Sequence, residues 1–273
     1  VVLTGEGADE LFGGYDLFRE HLVRTGSIEV EDTSLYGWQR RSPLAHAGLA
    51  DMYWDAARTA SGPFSSHEHR WRQGSQTARF FDPAFAPASP SELYAATTAD
   101  LEHGLPTEFR DWGPLEQAQY LELSLFFPGY LLSAQSDRTM MAHAVEGRFP
   151  YLDPHVVDLA LKLPTNRKIS QSRAEKHALK RSFAELLPDE IVNRPKQPYR
   201  APDASAFFAG GGRPEWMLEL TSACAVSRAG IFRPSMVTAL VEKCARSNGE
   251  GMSRADNQRL LGVLSTMLLH HLF

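Results

Sequence analysis

Glycines and acidic residues alternate directly after a short apolar run at the amino end of this chain of 273 residues. Gly5 and Gly7 would let a ligand approach the backbone without a Cβ in the way. A helix that begins near Ala8 would point its free N–H groups at the same turn, which favours an anion such as pyrophosphate. Glu6 and Asp9 would repel that anion unless a divalent cation lay between them, so the turn predicts a nucleotide bound with magnesium. The alternative is that Asp9 only caps the helix and the glycines only make a turn.

Two other kinds of cofactor fit the sequence less well. Gly5 and Gly7 also match the first half of the dinucleotide fingerprint Gly-x-Gly-x-x-Gly, but its third glycine position holds Glu10. The close packing of helix on strand that this glycine permits is therefore lost, and a nicotinamide cofactor is disfavoured. Zinc is disfavoured because His67 and His69 have the wrong spacing for a helical ligand pair and the sequence has no Cys-x-x-Cys.

A second segment, residues 136–153, sets ionisable side chains among apolar neighbours. Its charged members are Asp137, Arg138, Glu146, Arg148 and Asp153. Charges in such surroundings need partners, so they either form internal ion pairs or grip a substrate that carries both signs. The pattern favours the substrate for Asp137 and the internal pairs for Arg148 and Asp153.

A third segment, residues 193–202, carries basic side chains between three prolines. The prolines restrict the backbone and would hold Arg194, Lys196 and Arg200 on an extended loop after a helix. Such a loop suits a polyanion, and Lys196 could stabilise charge that develops on a phosphate or carboxylate oxygen during group transfer. The alternative is a solvated surface loop.

The composition is that of a globular protein, with 43% hydrophobic and 22% charged residues. A formal net charge of −5 argues against nucleic acid as the main partner. No apolar run is long enough to cross a bilayer, so we expect no membrane partner. Two cysteines give no disulfide framework, which fits a cytoplasmic protein. The first residue is Val1 and a strand follows at once, which indicates a piece of a longer chain.

The elements that position these residues are predicted to be mainly helices. Helical spacing of apolar residues covers residues 11–22, 116–132, 154–163, 173–187, 214–222, 234–247 and 253–272. The helix over 116–132 is expected to break near Pro128, with a turn at 133–137. Apart from residues 1–3, strands are scarce.

Together the three segments resemble the synthetase domain of the glutamine-hydrolysing asparagine synthetase family. The matching residues are 3–10, 137–138, 146–153 and 193–197, in the same order over about three-quarters of the chain. The resemblance implies an α/β fold of the adenine-nucleotide α-hydrolase-like type, a parallel sheet with helices. This fragment would be predominantly α-helical, with at most one or two short strands.

In that family, ATP and aspartate form β-aspartyl-adenylate and pyrophosphate, and ammonia released from glutamine then gives asparagine and AMP. The resemblance makes Asp9 the ligand of magnesium and pyrophosphate, Glu6 the base for the attacking ammonia, and Lys196 the group that stabilises adenylation. Gly5 and Gly7 would line the pyrophosphate turn. The residues assigned to substrate binding are Asp137, Arg138, Glu146 and Arg148.

Two departures from the family pattern leave another carboxylate substrate open: Ala8 replaces a small hydroxyl residue, and Gly147 stands where a branched or small apolar residue is common. Residues 1–273 are predicted to be the C-terminal portion of the synthetase domain. The glutaminase domain and the Ser-Gly-Gly-x-Asp-Ser loop for the other ATP phosphates are expected upstream, so the isolated chain is expected to be inactive. The rival prediction is a catalytically incomplete helical protein that binds a nucleotide or a partner chain. A homodimer stays open.

Overall fold

The computed structural model describes residues 1–28, 62–86, 89–170, 175–194, 204–208 and 212–273. Lys196 and the rest of the basic loop at 195–202 lie outside these residues, so the proposed role of Lys196 stays a prediction. The chain divides into two compact units, Val1–Glu68 with Leu105–Gln197 and His69–Gly104 with Pro198–Phe273.

The described residues form mainly helices. In chain order the α-helices are α1 (Ala8–Phe12), α2 (Asp16–Arg24), α3 (Glu68–Ser75), α4 (Pro90–His103), α5 (Pro114–Leu121), α6 (Arg138–Ala142), α7 (Pro154–Lys162), α8 (Thr165–Lys168), α9 (His177–Ser182), α10 (Asp189–Val192), α11 (Ser205–Phe208), α12 (Glu215–Leu220), α13 (Ala223–Ala229), α14 (Pro234–Arg246) and α15 (Arg254–Leu272). Short 3₁₀ helices cover Gln76–Phe80, Thr107–Asp111 and Pro150–Leu152, and a π-helix covers Glu122–Asp137. None of the helices in the described ranges is long and apolar enough to cross a lipid bilayer.

Two very short strands join distant parts of the first unit. Strand β1 (Val2–Leu3) pairs in parallel with β2 (Gly147–Arg148). The Val2 N–H donates to the Glu146 carbonyl oxygen at 2.8 Å, and the Thr4 N–H donates to that of Arg148 at 3.0 Å. This pairing brings the acidic glycine turn next to the second charged segment.

Several sequence-based helix boundaries were wrong, and two of them lie before residue 138. The helix predicted over 11–22 is two helices, because Gly13 adopts a left-handed conformation with φ of 72° and ends α1. The predicted break near Pro128 and the turn at 133–137 are absent, since the π-helix runs through Pro128 to Asp137. In an α-helix the ring of Pro128 would clash with the carbonyl of the residue four positions earlier, and the wider i→i+5 turns of the π-helix relieve that clash.

The core of the first unit forms where α2 and α5 pack together. Phe18 and Leu22 lie four residues apart on one face of α2, and Leu115 and Ala118 lie on the facing side of α5. All four are buried, and Ile28 and Ile169 belong to the same cluster. Helix α1 packs separately, through its own apolar residues, against α7.

The second unit has its own core, to which α11 to α15 contribute. Helix α15 contributes Leu260, Val263, Leu264 and Met267, which recur at the spacing of one helix face and are buried. The Phe81 and Phe232 rings stack at 5.5 Å between centroids where their backbones form an antiparallel bridge.

Candidate active site

The acidic turn folds around a glycine that no other residue could replace without strain. Gly7 has φ of 90°, a conformation that residues with a Cβ rarely adopt. A Cβ at Gly7 would also lie 2.5 Å from Leu152 Cδ2, so the turn can pack closely against the segment that follows β2. Gly5, in contrast, has open space on the side where a Cβ would lie. Its backbone is therefore accessible to a ligand.

The side chains after the turn diverge. Glu10 points into the interior, where it is 2% exposed and accepts a hydrogen bond from the Tyr15 hydroxyl. Burial raises the pKa of Glu10 above its usual value, against the opposing effect of that hydrogen bond. Glu10 thus occupies the third position of the dinucleotide fingerprint as a buried structural residue.

Glu6 is held by a residue of the second segment. The buried Ser136 hydroxyl donates to Glu6 Oε1 at 3.2 Å. In the part of the chain that the structure describes, Glu6 Oε2 has no hydrogen-bond partner, so it remains available to accept a proton. Ser136 was not nominated from the sequence, because a serine beside charged residues has no distinguishing pattern.

Asp9 pairs with a lysine that the sequence did not single out. The Lys176 ammonium lies 3.0 Å from Asp9 Oδ1, and both side chains are about one-quarter exposed. Lys176 has φ of 50°, a left-handed conformation that is uncommon for a non-glycine residue. The helix predicted over 173–187 would have placed Lys176 within a regular helix, whereas α9 begins only at His177. Nothing in the sequence indicated this left-handed conformation, so no pattern pointed to Lys176 as a site residue.

Gly14 leaves the space that the Asp9–Lys176 pair occupies. A Cβ at Gly14 would lie 1.9 Å from Asp9 Oδ1 and 2.5 Å from Lys176 Cε. We expect Gly14→Ala to displace these two flexible side chains rather than the backbone, and to lower pyrophosphate release by the full-length gene product about 100-fold. The thermal midpoint should change little. Steady-state assays and thermal melts would check this.

Gly129→Ala is the matched control for Gly14→Ala, because a Cβ at Gly129 meets nothing within 4 Å. It should leave pyrophosphate release unchanged. Equal activity of the Gly14→Ala and Gly129→Ala proteins would show that the geometry of the Asp9–Lys176 pair does not matter.

One cavity of about 490 Å³ in the first unit collects these groups. Its lining includes the polar residues Gly5, Glu6, Asp9, Lys176 and Lys180, and its apolar wall includes Leu179, Phe183, Leu187, Ile191 and Val192. Lys180 pairs at 2.9 Å with Glu175 rather than with Asp9. Burial alone would raise the pKa of Glu175, but Lys180 and Arg19 lower it below its usual value.

These residues fit a magnesium ion that is shared with phosphates. No group of three or more His, Cys, Asp or Glu side chains within the described ranges could hold a metal by itself. Magnesium is usually bound by one or two carboxylates together with water and substrate phosphates. Asp9, beside the open backbone of Gly5 and the Lys176 ammonium, offers such a partial site.

The four residues predicted to bind substrate lie elsewhere. Asp137, Arg138, Glu146 and Arg148 are exposed, and none of them is among the described residues that line the cavity. Arg148 and Glu146 pair with each other at 2.5 Å, with side chains 63% and 57% exposed. Asp153 accepts a hydrogen bond from the His155 N–H at 2.9 Å and caps α7. The structure thus brings Glu6 and Asp9 together and leaves these four outside their cavity.

The packing at Gly147 is filled rather than open. A Cβ there would lie 2.5 Å from Met140 Cε and 2.9 Å from its Sδ. Met140 therefore takes the volume that a larger residue at position 147 would need, and this departure from the family pattern creates no additional space for substrate.

Comparison with known proteins shows the family of the chain. The family described as "Asparagine synthase" matches residues 1–271. Its fold class is adenine-nucleotide α-hydrolase-like, which this chain represents by a mainly helical part with two short parallel strands in the described residues. The chain belongs to the asparagine synthase family. The predicted resemblance and fold class are confirmed.

Individual relatives are longer than this chain. It is 31% identical to a "Putative asparagine synthetase (glutamine-hydrolyzing)" of Mycobacterium tuberculosis, over 77% of this chain and 31% of that protein. It is 30% identical to "Amidase chyE" of Penicillium rubens, over 77% of this chain and 33% of that protein. It is 23% identical to asparagine synthetase 1 of Bacillus subtilis, over 99% of this chain and 40% of that protein. The chain spans about a third of the length of these relatives. No solved structure matches it significantly.

Proposed function

We propose that this chain forms part of an ATP-dependent ligase that adenylates a carboxylate, aspartate or a similar acid, and then joins ammonia to it as an amide. The observation that carries the proposal is the shared cavity of Glu6, Asp9 and Lys176. Membership of the asparagine synthase family supports the use of ATP and the amide-forming chemistry. Ammonia would come from glutamine by way of a glutaminase activity.

In the first step, the substrate carboxylate attacks the α-phosphorus of ATP and pyrophosphate leaves. A magnesium ion bound beside Asp9 would neutralise charge on the leaving group. Asp9 would supply a carboxylate oxygen to that ion, and Lys176, 3.0 Å from Asp9, would contact the phosphate oxygens with its ammonium. The open side of Gly5 would admit the phosphates to the backbone.

In the second step, ammonia attacks the acyl carbon of the adenylate, and AMP leaves with the bonding electrons of the broken C–O bond. The attacking nitrogen must lose a proton. Glu6 is the proposed acceptor, because Ser136 fixes its Oε1 and leaves Oε2 for the proton.

Lys196, on the basic loop, is proposed to stabilise the charge that develops on the reacting oxygens of the substrates. In the full-length gene product, Lys196→Ala should lower pyrophosphate release by about 10²–10³-fold, the effect of removing one such donor. Glutaminase activity should be unchanged, because glutamine hydrolysis does not use this site. The two activities would be measured separately, as pyrophosphate and as glutamate.

Lys162→Ala is the control for Lys196→Ala, since Lys162 is 72% exposed and pairs with Asp158, one helical turn away. If Lys196→Ala adenylates as fast as Lys162→Ala, Lys196 has no role in the mechanism.

The overall proposal is tested by incubating the full-length gene product with ATP, magnesium, an ammonium salt and a set of carboxylates that begins with aspartate. Formation of AMP and pyrophosphate that depends on one carboxylate is the expected result and identifies the substrate. Absence of AMP with every carboxylate, from a folded protein, would favour a protein that binds a nucleotide or a partner without turnover.

A further inference from the structure

A fully buried lysine lies near the C-terminal end of α1. Lys168, the last residue of α8, is 0% exposed, and its ammonium donates to Gln119 Oε1 at 2.8 Å. Lysine is almost never fully buried unless it is paired. Burial lowers the pKa of Lys168 from its usual value, and the charge of Glu116 opposes that effect. Burial of an ammonium group costs solvation free energy, so a role for Lys168 is expected.

The other end of the Gln119 amide contacts α1. Gln119 is 1% exposed, and its Nε2 donates to the carbonyl oxygens of Glu10 at 2.5 Å and Leu11 at 2.9 Å. Because Lys168 can only donate, it must face the amide oxygen of Gln119. The NH₂ group of Gln119 is therefore turned towards α1.

These bonds satisfy backbone groups that α1 cannot satisfy itself. The last four carbonyls of any α-helix have no partner within the helix. In α1 the Asp9 carbonyl accepts a hydrogen bond from the Gly14 N–H at 2.8 Å, and the Gln119 amide donates to the next two carbonyls. A five-residue helix is not stable alone, so its position depends on such outside contacts.

The segment of Lys168 also touches the end of α1 directly. A Cβ at Gly13 would lie 2.8 Å from Ile169 Cγ1 and 3.6 Å from Lys168 Cβ. The buried lysine, the glutamine and the end of α1 thus form one packed unit, on the helix whose second residue is Asp9.

We propose that Gln119, oriented by Lys168, is a positioning residue that holds α1 so that Asp9 and Glu6 face the cavity together. The inference rests on the proposed function for its catalytic consequence. The alternative is a purely structural role, in which Gln119 and Lys168 stabilise the first unit but do not influence the site.

Two variants of the full-length gene product test the proposal. In Lys168→Met/Gln119→Met, both partners become apolar and of similar length, which avoids a buried unpaired charge. In Gln119→Glu, Lys168 keeps a partner but the NH₂ donor is gone. We expect amide hydrogen exchange in residues 8–14 to rise at least tenfold in both variants. The magnesium concentration for half-maximal pyrophosphate release should rise about 10- to 100-fold.

Leu115→Ala is the matched control, because Leu115 is fully buried on the same helix as Gln119 but packs in the cluster with Phe18. It should lower the thermal midpoint clearly, because it leaves a cavity in that cluster. Its effect on exchange in residues 8–14 and on the magnesium requirement should be no more than twofold. If a general loss of stability caused the changes in exchange and in the magnesium requirement, Leu115→Ala would show them as well.

The proposal is overturned if exchange at residues 8–14 and the magnesium requirement match those of Leu115→Ala in both variants. A wild-type protein that releases no pyrophosphate with any carboxylate would instead refute the proposed function. Hydrogen exchange would still decide whether Gln119 holds α1, so the two failures are distinguishable.

Discussion

Glu6→Gln is expected to leave carboxylate adenylation intact and to stop the transfer of ammonia. The amide has nearly the same shape as the carboxylate, and the Ser136 hydroxyl can still donate to its oxygen. An amide cannot take the proton that ammonia must lose. Loss of a general base typically costs about 10²–10⁴-fold in rate.

The two half-reactions separate this effect from a general disturbance of the site. Exchange of labelled pyrophosphate into ATP measures adenylation, and amide product measures the second step. In Glu6→Gln the exchange should stay within about threefold of wild type, whereas amide formation falls by the full factor. Ser136→Ala should lower amide formation by a smaller factor, because it removes only the orientation of Glu6. Equal loss of both half-reactions in Glu6→Gln would place Glu6 in adenylation instead.

Helix positions could be predicted from the sequence where apolar residues recur without interruption. The helices predicted over 154–163, 234–247 and 253–272 correspond to α7, α14 and α15 with ends shifted by one residue or so. Burial of one face is a local property, so its period is visible in the chain. The split at Gly13 and the π-helix through Pro128 depend on hydrogen-bond choices that periodicity does not encode.

The candidate site was only partly predictable for a related reason. Residue type and spacing led to Glu6 and Asp9, because both lie on one short turn. Lys176 and Ser136 reach that turn from 167 and 130 positions away, through tertiary contacts that single-sequence patterns do not show. Lys168 could not be predicted as a core residue, because lysine is ordinarily exposed and its partner Gln119 lies on another helix.

Asp9→Asn is expected to abolish measurable adenylation. The substitution keeps the size of the side chain but removes the charge that binds magnesium and pairs with Lys176. Charge stabilisation by a bound metal ion is worth several kcal/mol, and a loss of about 4 kcal/mol corresponds to about 10³-fold in rate. Pyrophosphate exchange should fall by at least that factor, while the thermal midpoint changes little, because the Asp9 side chain is one-quarter exposed.

A double-mutant cycle with Lys176→Met tests whether Asp9 and Lys176 act as one unit. Two groups that contact the same leaving group should show non-additive losses, so Asp9→Asn/Lys176→Met should be scarcely worse than Asp9→Asn alone. Lys180→Met is the matched control, since Lys180 lines the same cavity from the same helical segment but pairs with Glu175. Lys180→Met should lower exchange far less than Lys176→Met. Fully additive losses would mean that Asp9 and Lys176 act independently of each other. Equal effects of the two lysine substitutions would mean that Lys176 makes no special contact with the leaving group.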